Sequence, residues 1–226
     1  MQSNPKPSKL SWLEFALLIA PLPLLAGLWD KFPARVPIHW NIRGDIDGWA
    51  PKVSGLLFLP AINMLTWSLL RFIEFIDPKI RRTTGDDRIK ALGVLRIFRV
   101  ALLAFMFAVF CFQVAVALGH NIPTDRFIYN GCLLLFIVMG NYFAVLRPNY
   151  FVGIRTPWTL ESPDTWRATH RIGGRIMVFG ALLLIAAEFF IQRQIFAWLF
   201  ISYIFGFVLW ALVYSWNYSR THATIR

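Results

Sequence analysis

A six-span, all-α integral membrane protein is the fold class this sequence predicts, and three observations predict it. The 226 residues are 57% hydrophobic and only 15% charged, against about 25% charged for a soluble globular domain. The apolar residues come in long blocks rather than at helical or strand period, each close to the roughly 20 residues that cross a bilayer. The 23 Lys and Arg, which set a net charge of +11, gather in alternate connecting segments. Soluble fold classes are excluded.

The blocks are Trp12–Trp29, Leu56–Ile76, Ile97–Leu118, Phe127–Leu146, Ile176–Phe190 and Ile195–Trp216. The first lacks a small-x-small cleavage site before Asp30, so it reads as a span and not as a removable signal. Pro21 and Pro23 at its middle free backbone carbonyls and predict a kink or a broken helix. The fifth is the shortest and can borrow length from Gly173 and Gly174. Cys111 and Cys132 fall inside apolar blocks and read as small core residues rather than a disulfide or a zinc pair.

With both termini cytoplasmic, seventeen Lys and Arg lie inside and six outside. The inner ones are two in the N-terminal tail, eight from Arg71 to Arg99, five from Arg147 to Arg175 and two in the C-terminal tail. This asymmetry is the positive-inside signature. The basic charge is therefore a topology signal, with attraction to anionic inner-leaflet lipid as a secondary use, and no direct nucleic-acid partner is implied. The chain divides into residues 1–76, two spans with an outer loop at 30–54; a charged cytoplasmic loop, 77–96; and residues 97–226, four spans with an inner loop at 147–175.

The outer loop reads "DKFPARVPIHWNIRGDIDGWAPK". Pro33, Pro37 and Pro51 forbid a helix through most of it. Val36 to Ile42 suits an extended strand, and Arg43–Gly44–Asp45 and Asp47–Gly48 are turn signals. A small hairpin-like cap is expected, with Trp40 and Trp49 at the interface. His39, Asp45 and Asp47 read as a hydrogen-bonded turn or as part of a peptide- or cation-binding surface; without HxxH or CxxC spacing, no metal site is assigned. In the 77–96 loop, both charge signs mix, and residues Asp86 to Phe98 can extend the third span as a solvated polar helix.

The inner loop carries "PNYFVGIRTPWTLESPDTWRATHRIGGR". Gly153 and the Thr156–Pro157 step keep the chain extended or turning. Ser162–Pro163–Asp164 starts a helix, with Ser as N-cap and Pro at the first position. A short interfacial helix from Pro163 to Arg171 places Trp166 and His170 on one face and Arg167 and Arg171 on the adjacent one. Gly173–Gly174 then allows either a sharp re-entry into the bilayer or close packing on another span. Trp158 and Trp166 are expected at the headgroups. Arg155, held before Thr156–Pro157–Trp158, is expected to make a directed contact with Glu161, a phosphate or a partner.

These two loops resemble the SdpI family, bacterial immunity proteins against sporulation-delaying-protein toxins. The outer "FPARVPIHWNIRGDIDGWAPK" resembles the family's amino-terminal domain, at His39, Asn41, Gly44 and Asp47. The stretch "GNYFAVLRPNYFVGIRTPWTLESPDTWRATHRIGG" resembles its carboxy-terminal signature, at Asn149, Gly153, Arg155, Thr156, Pro157, Trp158, Trp166, His170 and Gly173. The resemblance implies a multi-pass protein of the bacterial cytoplasmic membrane that protects its host from a secreted, membrane-active peptide. In the family's namesake it also implies signalling, through a cognate repressor held at the membrane.

Three functions compete. The first is a receptor-like immunity protein without catalysis, whose outer cap (His39, Trp40, Asn41, Gly44, Asp45, Asp47) meets a toxin peptide while the inner loop reports or docks a partner. The second is a membrane enzyme on a lipid or peptide, with His170 as base or ligand and Arg155 or Arg171 holding a phosphate. His39 and His170 are expected about 30 Å apart across the hydrocarbon, and neither has a serine, cysteine or paired carboxylate at catalytic spacing. The third is a small transporter, for which the buried polar residues Glu14, Asn63, Gln113, Asn141 and Glu188 are sparse. The two glutamates lie close enough to span ends to reach water or headgroups. The first reading is preferred; it needs no cofactor and no enzymatic activity.

Overall fold

Proline spacing shapes the first span. Pro21 and Pro23 cannot donate to the carbonyls four residues back. In the computed structural model, which describes residues 11–41 and 43–222, the span is accordingly two helices, α1 (Trp12–Ile19) and α2 (Pro21–Leu28), followed by a 3-10 turn, Trp29–Lys31. Ser11 caps α1 in a capping box: its Oγ accepts the Glu14 N–H at 3.2 Å, and Glu14 accepts the Ser11 N–H at 2.8 Å. Ile42 and both chain ends, whose inner location the charge bias predicts, lie outside the described residues.

A hairpin follows, β1 (Arg35–Trp40) antiparallel to β2 (Ile46–Pro51). The remaining elements are helical: α3 (Lys52–Ile76), α4 (Pro78–Arg82), α5 (Gly85–Ala117), α6 (Thr124–Phe143), α7 (Pro157–Glu161), α8 (Pro163–Ala187) and α9 (Arg193–His222). Six segments are long and apolar enough to cross a membrane: Trp12–Lys31, α3, α5, α6, α8 and α9. All six predicted spans are found. The predicted polar extension of the third is also present, since α5 is one helix of 33 residues.

The chain forms two compact units, one of residues 72–98 and 133–222, the other of residues 11–71 and 99–132. In the second, Leu25, Phe32, Val36, Leu56, Phe110 and Val114 form one apolar cluster that includes the hairpin residue Val36. Gln113 joins the same unit by donating to the carbonyls of Pro37 at 2.9 Å and Gly55 at 3.1 Å. In the first, Val94, Phe98, Phe143, Leu146, Trp166 and Met177 pack together.

Four expectations are corrected. No separate interfacial helix spans Pro163–Arg171: α8 runs through Gly173 and Gly174 without interruption, so those turns begin the fifth span. The glycine pair serves close packing instead, because a Cβ on Gly140 would meet the Gly174 carbonyl at 2.8 Å. A short helix does occur, at α7. Asp47–Gly48 is not a turn but part of β2, where Gly48 faces His39 so closely that a Cβ would lie 2.7 Å from the His39 Cβ. Glu14 does not reach water: it is fully buried, and the Arg99 Nε donates to it at 2.5 Å. The Asp86–Phe98 extension is not merely a solvated face, for Leu92, Val94, Leu95 and Phe98 along it are buried, and Asp77 ahead of it is fully buried as the N-cap of α4.

Candidate functional site

The hairpin tip is organised by Asn41. Its side-chain oxygen accepts the N–H groups of Arg43 at 2.8 Å and Asp45 at 3.1 Å, and its amide donates to the Asp45 carboxylate at 3.2 Å. Gly44, at φ 82°, turns the chain, a conformation that favours glycine. Two residues from the tip on each strand, His39 Nδ1 and Asp47 Oδ1 lie 2.5 Å apart, with side chains 69% and 45% exposed. Trp40 packs on Phe112, ring centroids 5.5 Å apart, while Trp49 is exposed as expected for an interfacial ring. All six expected outer residues therefore sit on one small hairpin. Its irregular register between Pro37 and Trp40 brings His39 opposite Gly48.

The expected inner residues assemble differently. Asn149 is buried, and its side chain closes a turn: the oxygen accepts from Phe151 N–H at 2.9 Å and Val152 N–H at 2.6 Å, and the amide donates to the carbonyls of Arg147 and Val152, each at 3.0 Å. Gly153 follows at φ 106°. A Cβ there would fall 2.5 Å from His170 Nε2. This vacancy lets the Ile154 N–H donate to His170 Nε2 at 2.9 Å. The other ring nitrogen, Nδ1, then carries the proton and donates to the Trp166 carbonyl at 2.9 Å.

His170 is stacked on Trp166 at 4.0 Å, as the four-residue spacing predicts, and also touches Phe143. Trp166, however, is fully buried and donates to the Leu146 carbonyl at 2.8 Å. It is therefore a core residue and not a headgroup anchor, because its N–H satisfies a carbonyl left open just past α6. Thr156 caps α7 and donates to Ser215 Oγ at 3.0 Å, tying α7 to α9, with Pro157 at the first helical position. Trp158 is half-buried; Glu161 and Arg171 are exposed. Arg155 makes a directed contact, but to the Tyr150 carbonyl at 2.8 Å rather than to Glu161.

Two contributors escaped the sequence reading. Asp77 accepts the Tyr150 N–H at 2.6 Å, and Lys79 donates to the Leu160 carbonyl at 2.7 Å while its ammonium sits 4.7 Å from the Tyr150 ring centre. Together they bind α4 to the loop. Asp followed by Pro was the available signal, an N-cap with Pro at the next position. The buried Glu14–Arg99 pair is the other. Removing one partner of such a pair typically costs about 3–5 kcal/mol, because the survivor keeps its charge without water.

What this geometry can do follows from its hydrogen-bond inventory. Both His170 nitrogens are committed to backbone groups, so the ring acts as a fastener. Among the described residues no three His, Cys, Asp or Glu side chains gather to hold a metal.

Six apolar helices, a structured hairpin and a tightly hydrogen-bonded connecting loop define a multi-pass cell-membrane protein. The resemblance read from the sequence stands on direct comparison. Residues 145–219 match the SdpI/YfhL protein family, and residues 16–64 match the Domain of unknown function (DUF1648). The chain is similar to Immunity protein SdpI of Bacillus subtilis (strain 168), 22% identical over 193 residues that cover 85% of this chain and 87% of that protein. No solved structure matches it significantly.

Proposed function

We propose that this chain is a membrane immunity protein that protects its host from a secreted, membrane-active peptide, and that it does so by binding and not by catalysis. One observation carries the reading. The similarity to an immunity protein spans most of both chains, and the regions that match the two family models contain the two polar structured parts, the hairpin and the loop. The hairpin is the recognition surface, with His39 and Asp47 presented to a toxin peptide on a turn held rigid by Asn41. A preorganised surface loses little entropy on binding. The 147–175 loop is its inner counterpart, seated against anionic lipid. A cytoplasmic repressor is not part of the proposal.

The test is growth of a toxin-sensitive host challenged with purified toxin peptide, with and without this protein. Protection supports the reading, and unchanged killing at full expression refutes it. The inner and outer assignment rests on the charge bias, and it has its own check. A cysteine at Asp45 should react with an impermeant thiol reagent in intact cells, and one at Glu161 only after permeabilisation. The reverse order would place the hairpin on the wrong side to meet an external peptide.

A further inference from the structure

A cavity of about 680 Å³ opens beside the loop, walled by α5, the end of α6 with the chain just after it, and the start of α8. Its lining mixes cationic and apolar side chains: Lys90, Arg147 and Arg167 among the first, Val94, Ile97, Tyr142 and Val145 among the second. Lys90 and Ile97 are seven positions apart on one helix, about 10 Å along its axis at 1.5 Å per residue. The α5 wall thus runs from cationic to apolar over roughly the distance from a phosphate into the first part of an acyl chain.

Two details suit an occupant of this space. Gly93 lies on the α5 wall, where a Cβ would meet no atom within 4 Å. Glycine inside a helix costs stability relative to alanine, and here neither a tight contact nor a positive φ requires it. A side chain at that position would fill the groove. The cations, in turn, are available. Among the described residues Lys90 makes no ion pair, while Arg147 and Arg167 pair with Asp87 and Asp164 in exposed bridges. Such bridges are weak, so a phosphate, which suits a guanidinium fork, can share or replace the carboxylate. The volume is within the range of small-ligand pockets.

We propose that this groove is a specific site for an anionic glycerophospholipid, the phosphate held by Lys90, Arg147 and Arg167 and an acyl chain laid along Val94, Ile97 and Tyr142. Basic pockets between membrane helices bind anionic headgroups in this way. The site shares no residue with the hairpin and does not depend on the toxin reading.

The test uses the full chain purified in detergent and titrated with didecanoylphosphatidylglycerol, didecanoylphosphatidylcholine or inorganic phosphate, with bound lipid counted by native mass spectrometry. The phosphatidylglycerol should bind in preference to the phosphatidylcholine. Lys90→Gln should weaken it about fivefold, the expected effect of one cation beside an anionic lipid, and Gly93→Leu should weaken it at least as much by occupying the groove. Arg82→Gln, an exposed cation outside the groove, should change nothing. Unfolding temperatures establish that the variants are folded; should Gly93→Leu unfold, Lys90→Gln on the exposed rim decides. Equal affinity for the two lipids, unaltered binding by the folded variants, or saturation by inorganic phosphate alone would each overturn the proposal.

Discussion

In the hairpin, His39 and Asp47 pair with their side chains largely exposed; in the loop, His170 pairs with two backbone groups and is fully buried. Asn41 and Asn149 make the same comparison. Each closes a turn with its side chain, but Asn41 does so at an exposed tip and Asn149 in a buried one. Both regions carry motif residues of the same chemical types. The difference lies in what those residues are turned toward. The loop uses its polar groups to hold α4, α7, α8 and α9 together, whereas the hairpin holds its backbone with Asn41 and leaves a histidine–carboxylate pair facing outward.

That contrast fixes an order of expected effects. Trp166→Ala should be the most damaging, since it removes a buried indole and its hydrogen bond to Leu146; losses of about 3–5 kcal/mol are usual for such truncations. Reversible unfolding in mixed micelles measures it, and a loss under about 0.5 kcal/mol, typical of surface changes, would end the description of the loop as a fastener. Gly153→Ala comes next, at about 1–3 kcal/mol for overpacking, because its Cβ would press on His170 Nε2 and break the bond from Ile154. The same titration reads it, and wild-type stability would mean that the positive φ and the close approach are not needed.

Arg155 should matter less to stability. Its bond to the Tyr150 carbonyl is exposed, and a single hydrogen bond contributes about 0.5–1.5 kcal/mol net. A lysine cannot reproduce the guanidinium geometry, so Arg155→Lys should impair protection nearly as much as Arg155→Ala. Full protection by the lysine variant would reduce Arg155 to a charged anchor.

Much of this arrangement was legible from local pattern. Block length gave the spans, Pro21 and Pro23 gave the break between α1 and α2, and the Pro-rich segment at 30–54 gave the hairpin. Ser162–Pro163 gave the start of α8 but not its continuation. A glycine pair is compatible with a turn or with helix packing, and only the approach of Gly140 decides between them. The Asp77–Tyr150 and Glu14–Arg99 contacts join residues 73 and 85 positions apart, and no periodicity records such pairings. The burial of Trp166 is hidden from the sequence for a related reason. A tryptophan beside arginines suits an interface, and its burial depends on an open carbonyl at Leu146 that the sequence does not mark.

The most direct test of the central claim compares protection with abundance for the hairpin pair. His39→Ala and Asp47→Ala remove an exposed contact, which contributes about 0–1 kcal/mol in such settings. Each variant should therefore insert and accumulate like wild type while losing protection against the toxin peptide. Gly153→Ala should instead lose protection only in step with abundance. If the hairpin variants protect fully at normal abundance, or lose protection only as their abundance falls, the hairpin is not the recognition surface and the account fails.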